Sequence, residues 1–215
     1  MPGFNSAILS TAYLPDTRYL SKWFLYDKIL IERFENYQKQ SYRNRCVIYA
    51  ANGPLTLVIP VVKNHGEKTL VKDVLVDYDL RWQHQHWKSI HSAYKNSPFF
   101  DFYEDDFYPF YIRKEKYLFD FNISLIDKIM QLLGMTSSVY TTSHYGKNSD
   151  FDDYRNSIHP KQRLNKPDRF FTPSEYHQVF ADKHGFIANL STIDLLFNAG
   201  PDAVTILKNS TKKGQ

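Results

Sequence analysis

Two β-prone runs, Tyr42–Ala51 and Leu55–Val61, flank Asn52-Gly53-Pro54. Asn-Gly between such runs is the strongest short-range mark of a β-hairpin, because both residues accept the positive φ of a tight reversal. Pro54 is expected to lengthen the turn beyond the minimal two residues. Upstream, Ser6–Ser10 is a short apolar run that reads as a strand, and Pro15-Asp16 stops it. Asp16 then offers a helix cap. Tyr19, Leu20, Trp23, Phe24 and Tyr26 fall near helical spacing through 17–27. Lys28–Phe34 resumes as a buried-strand run. Strand, helix, strand in that order calls for a parallel pair, which only a crossover connection reaches. The expected fold class is therefore α/β. One domain is expected over residues 1–207, with a mixed sheet that includes the hairpin near 42–61 and with flanking helices.

The rest of the chain fits that class. Leu70–Val76 reads as a further strand, and 80–95 and 99–111 read as helices, with Asp77 or Asp79 to cap the first. Leu118–Leu133 is apolar at helical spacing and ends at Gly134, a natural helix stop. Ser138–Thr142 reads as a late strand. Residues 144–175 are polar, hold three prolines and lack periodicity. A loop of that length inside a compact domain is functional or disordered, and a lid-like role is expected. Residues 174–185 read as a helix, Ser191–Asp194 as the cap of another, and Pro201 as the start of a last one. Residues 208–215 read as a frayed tail.

Composition excludes several classes. Lys+Arg minus Asp+Glu is 27 − 23 = +4, scattered rather than striped, which argues against nucleic acid as a partner. One cysteine rules out an intramolecular disulfide and a multi-cysteine zinc site, and no metal site is assigned. No stretch approaches the 18 apolar residues of a membrane span, and no secretory leader is legible, so a cytoplasmic protein is expected. The glycine fingerprints of dinucleotide and P-loop sites are missing, and no cofactor is assigned. The 16 Tyr, 16 Phe and 3 Trp suit either an aromatic core or a cleft for sugar-like ligands.

Seven pieces then follow one another in order: STAYLP at 10–15, YRNRC at 42–46, NG at 52–53, LTLVIPV at 55–61, Trp82 with HWKSIHSAYKNSPFF at 86–100, LFDFN at 118–122, and HGFIANLSTIDLLFNAGPD at 184–202. Together they resemble the WbqC-like family, whose members are encoded among surface-polysaccharide (O-antigen) genes. The resemblance implies a cytoplasmic transferase acting on an activated amino sugar, by acyl or aminoacyl transfer. A nucleotide sugar or acyl donor would be its small-molecule partner. The alternative is a non-catalytic sugar- or protein-binding module of a glycan-biosynthesis complex. Many members open with His-Gln-Pro where this chain has Ser10-Thr11-Ala12, so a catalytic role of that histidine would be filled differently or lost here.

The candidate residues follow from these motifs. On a strand, Arg43 and Arg45 share one face, about 7 Å apart, and two guanidiniums so placed fork onto a phosphate. The bland reading is a pair of surface arginines. Asn44 and Cys46 share the other face; Asn44 would orient an acceptor. Cys46, beside Arg45, is either an activated nucleophile or a small buried hydrophobe. On the helix over 80–95, Leu80, His84, Trp87, His91 and Tyr94 form one stripe, and Trp82, His86, Ser89 and Ala93 a second. His84 and His91 read as packed core histidines, and His86 is the preferred general acid or base. Asp194 and Asn198, four apart on one face, are candidate substrate contacts. Glu104-Asp105-Asp106 reads as a solvated helix face, and Asp150, Asp152 and Asp153 as loop charges or a lid that seeks metal. The enzymatic reading requires Arg43, Arg45 and His86 to face one hollow.

Overall fold

The structure is a computed structural model, and it describes residues 5–62, 68–135, 139–146 and 151–212. Strand β1 (Ser6–Ser10) pairs in parallel with β2 (Lys28–Glu32), in the register Ala7↔Ile29 and Leu9↔Ile31. Between them runs α1 (Thr17–Leu20), capped by Asp16, whose Oδ1 accepts the Tyr19 N–H at 2.7 Å. The expected helix over 17–27 is only this one turn. It tightens into a 3₁₀ turn at Ser21–Phe24 before the chain returns to the sheet.

Strands β3 (Arg45–Ala50) and β4 (Gly53–Val58) form the expected hairpin, a two-stranded ribbon separate from the parallel sheet. The pair Ala50↔Gly53 closes the ladder over Ala51-Asn52. The turn is therefore the minimal one, against expectation. Gly53 takes φ +102°, a conformation open to glycine, and Pro54 enters the ladder opposite Tyr49. A proline survives there because an outer strand leaves its missing N–H unneeded. Leu70–Val76 is not a strand. It makes a 3₁₀ turn at Val71–Asp73, between single bridges to Asn36 and Val61.

The helices follow as α2 (Trp82–Tyr94), α3 (Phe100–Phe107) with a 3₁₀ extension at Tyr108–Tyr111, and α4 (Leu118–Leu132). Two short strands, β5 (Tyr140–Thr141) and β6 (Asp152–Asp153), complete the sheet, and α5 (Ala181–His184), α6 (Thr192–Ala199) and α7 (Ala203–Asn209) end the chain. The helix expected over 174–185 is reduced to α5. Of the expected features, Ser138, Asp150 and the tail residues 213–215 lie outside the described residues. No helix among the described residues is long and apolar enough to cross a membrane.

The sheet order is β5-β2-β1-β6, parallel throughout. From β1 the chain crosses to β2 on one side, while β6 arrives on the other. Such a reversal opens a crevice at the carboxyl ends of the strands, where open α/β sheets hold their ligands. The core joins Leu9 and Ile31 of the sheet to Ile48 and Leu57 of the ribbon, Ile90 of α2, Leu125 of α4 and Phe197 of α6. Helix α2 buries Trp82, His86, Ile90, Ala93 and Tyr94. Its inward face thus takes Trp82, His86 and Ala93 from the second stripe, with Ile90 and Tyr94 beside them. His84 and His91 are exposed, contrary to their reading as core histidines.

Candidate functional site

Basic side chains gather at the carboxyl ends of β1, β2 and β6. Arg18 on α1 is buried under the segment that follows β6, donating to the Asn165 side chain and, at 3.2 Å, to the Lys166 carbonyl. Lys22 is fully buried and ion-paired with Asp168, and its ammonium lies 4.8 Å from the centre of the Tyr154 ring. Burial pulls the Lys22 amine below its usual range, and Asp168 partly restores it. Arg155 donates to Glu32 at 3.1 Å and to Asp153 at 2.7 Å. Arg43 precedes β3 in a turn and clasps Glu35 with two bonds. Its Nη2 also reaches the Arg155 carbonyl at 3.3 Å.

Arg45, the first residue of β3, differs from these four. Its Nε is buried without a partner, and among the described residues no carboxylate meets its guanidinium. Beside it stands His159, which is 6% exposed. The Lys161 N–H donates to His159 Nδ1 at 3.0 Å, which leaves the ring proton on Nε2. Among the described residues Nε2 has no acceptor. Burial first, and then the nearby charges of Arg43, Lys161 and Arg45, hold the His159 pKa down and keep the ring neutral. Arg45 presents a buried donor that the protein itself does not satisfy, and His159 adds an Nε2 donor that no acceptor among the described residues meets. Buried donors of that kind are rare unless a ligand or water meets them. An oxyanion is the group that fits.

Strand alternation turns the neighbouring candidates the other way. Asn44 donates to the Ile59 carbonyl at 2.8 Å. Cys46 is 1% exposed, and burial pushes its thiol well above the normal range, which suits the packed-hydrophobe reading. Cys46 lies near Tyr13 and Tyr111, and Tyr13 Oη bridges Tyr111 Oη at 2.9 Å and His86 Nδ1 at 3.0 Å. The His86 ring also bonds the Val58 carbonyl, and burial lowers its pKa to about 4. Trp82 closes over it edge-on, 5.0 Å between ring centres.

The imidazole on which the charges of Arg43 and Arg45 act is thus His159. Arg43, Arg45 and His86 do not meet in one hollow: Arg43 is spent on Glu35, and His86 is sealed on the Cys46 side. Two cavities of about 270 and 410 Å³ open elsewhere, lined by none of the three. His159 was legible only as part of the polar 144–175 segment; its nearness to the charge of Arg45 is set by the tertiary fold.

Asp194 belongs to a different cluster. It is fully buried, and it accepts from Tyr94 at 2.8 Å, Tyr176 at 2.7 Å and Gln178 at 3.0 Å. Burial raises its pKa, and these three bonds pull it back. Asn198 donates to the Asp194 carbonyl at 2.8 Å. Both residues are tied inward. Ser191 stands at the start of α6 without a side-chain capping bond. Asp106 of the acidic run pairs with Lys128 of α4 at 3.0 Å. Among the described residues, no three His, Cys, Asp or Glu side chains come together as a metal set.

The model of the WbqC-like protein family matches residues 11–167, nearly three-quarters of the chain. The chain belongs to the WbqC-like protein family. The matched span of this WbqC-like protein takes in Arg43, Arg45, His86 and His159, and it stops before the 184–202 block. No curated protein and no solved structure gave a match.

Proposed function

We propose that this WbqC-like protein is a cytoplasmic transferase acting on an activated amino sugar in surface-glycan synthesis, by acyl or aminoacyl transfer. In this reading the anionic part of a nucleotide sugar or acyl donor lies between Arg45 and His159. Arg45 holds the charge. His159, neutral near pH 7, offers its Nε2 proton to the same anion or to the group being transferred. The described part of the 144–175 segment, which carries His159, acts as the cover of the site. One observation carries the reading: the Arg45 Nε is buried without a partner, whereas Arg18, Lys22, Arg43 and Arg155 each meet an acceptor; Arg33, just after β2, also lacks one, but its guanidinium lies over the Phe34 and Phe119 rings. Family membership supplies the link to glycan synthesis.

The test is a thermal-shift screen against nucleotide sugars and acyl or aminoacyl donors. A ligand at a hundred times its dissociation constant stabilises the fold by about 2.7 kcal/mol. Arg45→Ala should remove that shift and leave the unliganded stability within about 0.5 kcal/mol. Equal shifts in both proteins, or none in either, would refute the assignment. A second reading, the non-catalytic sugar-binding module, is favoured by the sealing of His86 and Cys46 in the core. It expects the same binding without turnover.

A further inference from the structure

We infer that the cavity between the 109–115 turn and α4 is a second ligand site, built for a flat aromatic ring that carries one anionic group. Pro109, Phe110, Arg113, Lys114, Glu115, Phe121 and Ser124 line it, and its volume is about 270 Å³. This site goes beyond the strand-end reading and does not depend on it.

Three features select the ligand. The rings of Phe110 and Phe121 stand 6.1 Å apart at 88° and make an apolar corner. Phe121 is buried and forms the floor, so a third ring entering the corner stacks on the half-buried Phe110 and meets the edge of the floor. Charge sits at the rim: Arg113 and Lys114 against Glu115 leave one net positive charge. Arg113 is exposed, and among the described residues nothing accepts from its guanidinium. The size is limiting too. Drug-sized ligands occupy roughly 300–1,000 Å³, so this space takes one or two fused rings with a short substituent.

The site is also held in shape before any ligand arrives. Gln83 Nε2 donates to the carbonyls of Phe110 at 3.0 Å and Arg113 at 2.6 Å. Tyr78 Oη donates to the Glu115 carbonyl and accepts the Glu115 N–H, both at 2.8 Å. The Lys114 ammonium rests 5.2 Å from the centre of the Tyr78 ring. Phe121 packs behind against Tyr13 and Trp82. Backbone fixed in this way lowers the ordering cost of binding.

An aromatic carboxylate and a nucleoside monophosphate share the required chemistry. Ligand-observed saturation-transfer NMR on the full chain separates them, with 4-hydroxybenzoate and uridine monophosphate as probes and with benzyl alcohol and inorganic phosphate as controls. We expect saturable binding of at least one ring-bearing anion, and the tighter of the two names the source. Arg113→Glu should raise its dissociation constant at least tenfold, and Ser124→Phe should abolish binding by filling the corner. Both positions are exposed, and a melting curve confirms that each variant is folded. Arg45→Ala should leave this binding unchanged, which separates it from the strand-end site. The inference is overturned if neither anionic ring binds, if inorganic phosphate competes as well as the rings do, if binding survives both cavity variants, or if Arg45→Ala abolishes it.

Discussion

Arg43 and Glu35 close a two-point ion pair inside the protein, Nε to Oε1 at 2.8 Å and Nη2 to Oε2 at 2.6 Å. Both residues are nearly wholly buried. Burial pushes the Glu35 carboxyl up, and Arg43's hydrogen bonds and charge, with a smaller contribution from the Arg155 charge, oppose it. Removing one partner strands the other charge, at a cost of about 3–5 kcal/mol. Arg43→Ala should therefore lower the urea midpoint sharply, and Arg43→Met with Glu35→Leu should recover much of the loss. An Arg43→Ala protein of normal stability that has lost its ligand shift would instead make Arg43 a binding residue.

His86 predicts an acid limb. Its folded pKa of about 4 lies below the unfolded value near 6.5, so between those values the unfolded chain takes up the proton first. This contribution is complete above pH 6.5 and is lost as pH falls toward 4. At about 1.4 kcal/mol per pKa unit it amounts to about 3 kcal/mol. His86→Gln keeps an acceptor for Tyr13 and a donor for Val58 but does not titrate. Its melting temperature should fall less steeply than the parent's between pH 6.5 and 4; parallel curves would refute the assignment.

Asp194 organises three donors at once. Asp194→Ala leaves the hydroxyls of Tyr94 and Tyr176 and the Gln178 amide unmet in the interior, and each buried unmet group costs about 1–3 kcal/mol. A loss of at least 3 kcal/mol in chemical denaturation is expected. A loss below 1 kcal/mol would show that water serves these donors instead.

Cys46 should behave as a packing residue. Iodoacetamide should leave it unmodified in the folded protein and label it at the unfolding rate. Cys46→Ala should cost about 1 kcal/mol and keep any ligand shift. Rapid native labelling would revive the thiolate.

Much of the architecture was readable in local pattern. The strand–helix–strand opening gave β1 and β2 in parallel, Asn52-Gly53 gave the hairpin, and the apolar spacing of 118–133 gave α4. The differences lie where local pattern leaves more than one outcome. The positive φ of Gly53 lets the reversal close before Pro54, so the turn stays minimal. Helical spacing offers two stripes on α2, and contact with Tyr13 and Phe121 selects the one that holds Trp82 and His86. The site shows the same limit more sharply. Strand alternation correctly divided Arg45 from Cys46, but no spacing rule links Arg45 to His159, more than a hundred residues away, or assigns Glu35 to Arg43. Those are decisions of tertiary packing.

The parallel sheet has a consequence for how the chain is made. Its inner strands, β1 and β2, come from the first 32 residues, and the strands that flank them, β5 and β6, come from residues 140–153. On the ribosome the inner pair emerges with both edges bare and waits for over a hundred residues to be synthesised. Bare edges recruit other chains, and such distant pairing is slow to form. Truncation before residue 140 should therefore yield aggregates rather than a smaller soluble fold.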